Sequence, residues 1–153
     1  MATFTGTQRR DRMFAGIWLL FAVTSFVVDS QAACGVDFEA RGTAFDAAIA
    51  NYGRTVDPVF LARPDWALVM LLFSTFVFGP LKIVTAVALW KGITRLRPLV
   101  LVFAGAYAYS TALWIAVGLF GSLPSPAPVQ YVMTNGPYLV VPLLFAWLAR
   151  RER

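Results

Sequence analysis

Four apolar stretches constrain this chain more than anything else in it: Met13 to about Ala33, Trp66 to Trp90, Pro98 to Phe120 and Val132 to Leu148. Each is close to the length that crosses a hydrocarbon core of about 30 Å at a helical rise of about 1.5 Å per residue. In lipid, every backbone N–H and C=O must be satisfied within a helix or around a closed barrel, and none of the four stretches alternates as a barrel strand does. The sequence therefore predicts an all-α membrane protein, a four-transmembrane-helix bundle forming a single domain over 1–153, with helices at about 13–33, 66–90, 98–120 and 132–148 and an extracytosolic loop at 34–65. Composition agrees: 59% of residues are hydrophobic and 14% charged, with a mean hydropathy of +0.68, which suits a bilayer better than water.

Charge between the stretches predicts their orientation. Arg9, Arg10 and Arg12 precede the first, Lys91, Arg95 and Arg97 separate the second from the third, and Arg150, Arg151 and Arg153 follow the fourth. Basic residues accumulate on the cytosolic side, so both termini are expected there. The segment Cys34 to Asp65 is rich in acids, and Gly121 to Tyr131 carries no charge; both are expected on the far side. Met13 to Val28 also has the outline of a signal peptide, with Ala32-Ala33-Cys34 mimicking a cleavage site, but the segment is read as retained. An Arg-rich, Lys-poor, Ala- and Val-heavy composition points to a GC-rich bacterial genome. The membrane is then the plasma membrane; in a eukaryote it would be the endoplasmic reticulum.

Several function classes drop out. The net charge of +5 sits in short runs beside the apolar stretches, a topological pattern and not a phosphate track, so no nucleic-acid partner is expected. Cys34 is the only cysteine and there is no histidine, which removes an intrachain disulfide and imidazole chemistry; no metal and no cofactor are expected. Glycine-rich phosphate loops, HExxH and nucleophile-elbow patterns do not occur.

Polar groups inside apolar spans are costly and therefore informative. Asp29 lies roughly 24 Å along its helix from Met13, near the far-side interface, where it either ends the helix in solvent or faces a pocket between helices. Lys82 lies about 12 Å from the cytosolic end of its helix, within reach of snorkelling, which is the preferred reading. Ser74, with Thr75 beside it, can bond to the preceding turn. Tyr107, Ser110, Thr111 and Trp114 in the third helix, and Thr134, Asn135 and Tyr138 in the fourth, can line a cavity that Pro80 and Pro142 help to open. Ala104, Ala108, Ala112 and Ala116 recur at every fourth position, a stripe suited to close helix packing or to a homodimer contact. In the far-side loop, Phe45 to Tyr52 reads as a short amphipathic helix resting on the bundle, and Trp66 as an interfacial anchor.

Read in order, Asp29-Ser30-Gln31-Ala32 closing the first helix, Asp57-Pro58 and Arg63-Pro64-Asp65-Trp66 opening the second, Pro80 within it, Lys91-Gly92 after it and Gly136-Pro137-Tyr138-Leu139-Val140-Val141-Pro142 in the fourth resemble the EXPERA family of emopamil-binding and sigma-2 receptor-like proteins, nearer the sigma-2 branch. The resemblance implies four membrane helices with cytosolic ends and a pocket for sterols or hydrophobic amines. It also implies that Asp29 is the carboxylate meeting a ligand's cation, with Asp57 a second acid hydrogen-bonded to it. Such a pair shares a proton, and Trp66, Tyr107, Trp114 and Tyr138 would add cation–π contacts. The chain departs from the pattern at Ser74, where relatives carry an acid, and lacks the histidine and intramembrane glutamates of the isomerase branch.

The leading expectation is intramembrane binding of sterol-like or isoprenoid lipids or hydrophobic amines through Asp29, Asp57, Trp66, Ser74, Tyr107, Ser110, Trp114, Asn135 and Tyr138. The alternative is a membrane isomerase, epoxide-opening enzyme or cyclase with catalytic Asp29 and Asp57 as general acid and base. A third is a protein that chaperones or traffics a membrane partner.

Overall fold

The computed structural model describes residues 6–150, all helix, turn and loop. Arg151 and Arg153, expected on the cytosolic side, lie outside the described residues. Helix α1 is continuous from Gly6–Thr24 through a π-helical turn, Ser25–Asp29, into Ser30–Ala33. Two loop helices follow, α2 (Ala44–Thr55) and α3 (Pro58–Ala62). Helix α4 is again continuous: Asp65–Phe73, a second π-helical turn Ser74–Phe78, then Gly79–Lys91. A 3₁₀ turn, Thr94–Leu96, leads into α5 (Arg97–Phe120), and α6 spans Pro128–Arg150.

Four helical segments are long and apolar enough to cross a membrane: Gln8–Ala33, Asp65–Lys91, Thr94–Phe120 and Pro128–Ala149. These match the four expected stretches, but α1 begins two turns before Met13, taking in Arg9, Arg10 and Arg12. Helix formation follows backbone hydrogen bonding and not hydropathy, and arginine is a good helix former. Arg12 lies over the Trp90 ring, its guanidinium carbon 5.1 Å from the centroid, tying the first turns of α1 to the end of α4. Gly92, at φ 66°, takes the left-handed conformation that stops α4.

Two helix pairs make the bundle. Helix α1 packs along α4, and α5 along α6. Aromatic side chains join the pairs: Trp18 meets Phe103 and Tyr107, Phe21 meets Tyr138 with ring centroids 4.4 Å apart, and Phe14 meets Phe145 edge-on. Phe14, Trp18, Phe21, Phe103, Tyr107 and Phe145 form one buried core with Ala15 and Ala104, and the half-buried Tyr138 packs against it. Of the alanine stripe, Ala104 and Ala108 are buried, Ala112 is half-buried and Ala116 exposed. Leu20, Phe76, Val102, Tyr109 and Met133 face outward, as they must where the solvent is lipid.

The loop is capped and pinned. Thr43 accepts the Asp46 N–H to start α2, whose extent bears out the amphipathic helix expected around Phe45 to Tyr52. Asp57 accepts the Phe60 N–H to start α3, with Pro58 in the first turn. Arg63, left-handed at φ 47°, donates to the Ala32 and Val36 carbonyls, satisfying the open C-terminal end of α1. A second buried cluster, Ala32, Phe38, Ala50, Phe60 and Leu71, seals the loop onto the ends of α1 and α4.

Candidate functional site

The two π-helical turns lie against each other where α1 meets α4. Each begins with a serine. In such a turn the first carbonyl is taken by the N–H five residues on, Ser30 for Ser25 and Gly79 for Ser74. The wider turn shifts the register of everything beyond it, which is why π-turns recur at functional sites. Here it brings the two hydroxyls to 3.1 Å of each other and Asp29 between them.

Asp29 is half-buried. Its Oδ2 accepts the Ser74 hydroxyl at 2.6 Å and the Ser25 hydroxyl at 3.1 Å, while Oδ1 accepts no hydrogen bond among the described residues. Lys82 does not snorkel. It is 0% exposed, and its Nζ donates to Ser25 Oγ at 2.5 Å and sits 4.4 Å from the centre of the Tyr107 ring. Snorkelling loses because the hydroxyl, the carboxylate behind it and the aromatic face together replace the water that the ammonium would otherwise seek. The Thr75 side chain sits at 3.5 Å from the Ser25 carbonyl and is buried as well. Tyr138, whose ring lies tilted against Phe21, approaches the Thr24 hydroxyl at 3.4 Å, one turn before Asp29. The cluster thus unites Asp29, Ser74, Tyr107 and, at its margin, Tyr138.

Asp57 stands in a different set of contacts. Its Oδ2 accepts the Trp114 indole N–H at 3.1 Å and its Oδ1 the Phe60 N–H at 3.2 Å. Trp66 packs on Trp114 at 5.7 Å. The Tyr131 hydroxyl donates to the Trp114 carbonyl, and Asn135 donates to the Tyr131 carbonyl and, at 3.3 Å, to the Tyr52 hydroxyl. Burial raises the Asp57 carboxyl above its ordinary value although Trp114 and the Phe60 N–H favour the anion; burial also pushes the Tyr52 hydroxyl up to about 12, with the Asp57 charge adding to it. The two acids do not hydrogen-bond to each other, so the proton-sharing pair implied by the resemblance does not form as a bonded unit. The physical reason is that Asp57 is committed to capping α3. Ser110 is half-buried on α5 and joins neither network.

Sequence reasoning missed Ser25, the hydroxyl at the centre of the first cluster. Its spacing of four from Asp29 places both on one helical face and was the available signal. Tyr52 and Tyr131 were also missed; both became visible only when the loop and α6 were placed. No group of three or more Asp, Glu, His or Cys side chains gathers among the described residues. A small cleft of about 50 Å³ lies elsewhere, among Asp11, Gly92, Thr94, Arg97 and Phe145; Asp11 is 18 residues, or roughly 27 Å of helix, from Asp29.

A membrane bundle with an ionisable network at its first helix crossing is thereby defined. The family model for EXPERA, the expanded EBP superfamily, matches residues 44–149, and the chain belongs to this family. The match covers α2 to α6 and leaves Ser25 and Asp29 outside it. No curated protein and no solved structure matches the chain.

Proposed function

We propose that the protein binds a hydrophobic small molecule, a sterol-like or isoprenoid lipid or hydrophobic amine, through Asp29 within the bundle. Membership of the EXPERA family suggests a sterol-related binding or isomerase role in a membrane. The observation that carries the proposal is the asymmetry of the Asp29 carboxylate: Oδ2 is held by two serine hydroxyls, while Oδ1 of this half-buried side chain is left unpartnered. A carboxylate oriented on one oxygen and open on the other is ready to receive the polar group of a ligand whose apolar body lies among the helices. Tyr107 and Tyr138 supply aromatic walls, with Ser74 as the orienting hydroxyl and Ser110 nearby in sequence. Asp57, Trp66, Trp114 and Asn135 form the second polar group, which supports the far-side end of the site.

The paired-carboxylate enzyme is the weaker reading, because Asp57 is engaged as a helix cap. Nor does the Ser25–Lys82 contact, which has the residue types of a serine–lysine hydrolase, offer a nucleophile, since Ser25 is 0% exposed. We further place both termini in the cytosol on the arginine distribution, with the sigma-2-like branch as the nearer relative.

The test is saturable binding of cholesterol to the purified, detergent-solubilised protein, read by tryptophan fluorescence, for wild type and Asp29→Asn. The expected result is a loss of affinity of roughly tenfold, the size of one charge-assisted hydrogen bond. Equal binding by the two proteins would remove Asp29 from the site.

A further inference from the structure

Apart from residues near the span ends (Arg9, Arg10, Asp11, Arg12, Asp65, Lys91, Arg95 and Arg97), Asp29 and Lys82 are the only acidic or basic residues in the four spans. The fold brings these two to either side of one hydroxyl. Lys82 Nζ donates to Ser25 Oγ, Ser25 Oγ donates to Asp29 Oδ2, and Ser74 Oγ donates to the same carboxylate oxygen. The Tyr107 ring closes over the ammonium. A fully buried lysine is expensive, and a site that had only to capture an external cation would have no use for one.

We infer that Lys82 is the resident counter-ion of Asp29 and sets the ligand class: the site takes an uncharged lipid alcohol and disfavours cationic amines. The inference rests on the reading of Asp29 as the ligand-binding residue. The charge of the cluster sums to zero wherever the proton sits, as ammonium with carboxylate or as amine with carboxylic acid. A lipid hydroxyl can donate to Asp29 Oδ1 and leave that sum unchanged. A ligand ammonium would add an unpaired positive charge in a medium of low dielectric, facing Lys82 across a single serine side chain, while the buried Asp57 of the far-side end already spends both oxygens on the Phe60 N–H and the Trp114 indole. Lys82 touches neither Oδ1 nor, on this reading, the ligand. It acts through the charge of Asp29 and is a specificity-determining residue.

The test compares two probes that share one skeleton, cholesterol and its 3β-dimethylamino analogue, in binding titrations of the full chain in neutral detergent. Wild type is expected to bind the alcohol roughly tenfold more tightly than the amine, and Lys82→Met to raise amine affinity by about the same factor while changing alcohol affinity little. A merely structural lysine would weaken both probes together and leave their ratio alone. An unchanged ratio in Lys82→Met overturns the inference, and so does a wild type that binds the amine as tightly as the alcohol; this second measurement needs no variant and stands if Lys82→Met does not purify as a monodisperse protein. In either case, sensitivity of binding to Asp29→Asn keeps the Asp29 site itself intact. If neither probe binds wild type saturably, the site reading falls and the inference with it.

Discussion

Asp29 and Asp57 solve the same problem in different ways. Asp29, about one turn from the end of the first membrane helix, is matched by a cation reached through a hydroxyl, and only one of its oxygens is engaged. Asp57, in the loop, has no basic partner among the described residues; a backbone N–H and an indole N–H occupy one oxygen each. The difference separates an acid with one oxygen left open from an acid whose oxygens are both spent on its own fold. An acid whose acceptors are both filled by its own fold has little left for a ligand, whereas one oriented by a single oxygen keeps the other in reserve.

The largest effect should come from breaking the charge match. Asp29→Ala leaves Lys82 buried without its counter-ion, and we expect a loss of about 3–5 kcal/mol in unfolding free energy, measured by denaturant titration in micelles. Adding Lys82→Met should restore most of it. A double variant no more stable than the single one would show that the two charges are not coupled.

Asp57→Ala should cost about 2 kcal/mol, by loss of the α3 cap and of the Trp114 acceptor, while Asp57→Asn keeps one oxygen to cap α3 but turns its NH2 toward the Trp114 indole N–H, and should fall about 1 kcal/mol below wild type. If Asn behaved like Ala, Asp57 would have to be more than a cap, and the contrast with Asp29 would weaken. Gly118 tests the scaffold around Trp114, since a Cβ there would collide with the Tyr131 ring and hydroxyl. Gly118→Ala is expected to cost about 1–2 kcal/mol, read as a lowered thermal midpoint, with the Asp29 site still able to bind.

The smallest effect is in pH dependence. The Asp57 carboxyl is raised above its ordinary value of 3.8, mainly by burial. The folded state therefore holds this proton more tightly than the unfolded chain does. The stability this contributes is fully present below 3.8 and is lost as pH rises through the raised folded value. Wild type should lose stability relative to Asp57→Asn across that interval, and the two should run parallel above it. Parallel curves throughout would place Asp57 in a wetter setting than its contacts describe.

Much of this was readable from residue order. The four apolar stretches, the loop helix around Phe45 to Tyr52 and the unusual acid at Asp29 all follow from local pattern, because lipid permits so few backbone arrangements. Lys82 was misread, since the length of a lysine stem shows how far it can reach but not what waits closer by. The contacts of Asp57 were out of reach for a related reason: Asp57-Pro58 reads equally as a helix start and as a candidate site, and only the fold brings the Phe60 N–H and the Trp114 indole to its two oxygens.

By itself, the sequence determined how many times the chain crosses a bilayer and where its costly polar groups lie along each crossing. These are one-dimensional properties, set by hydrophobic length and by the backbone's need to bond to itself. The tertiary structure decided which of those groups meet. That choice depends on the rotation of one helix against another, and the two π-turns, one in the last third of α1 and one within α4, reset it so that Ser25, Asp29, Ser74 and Lys82 meet in one cluster.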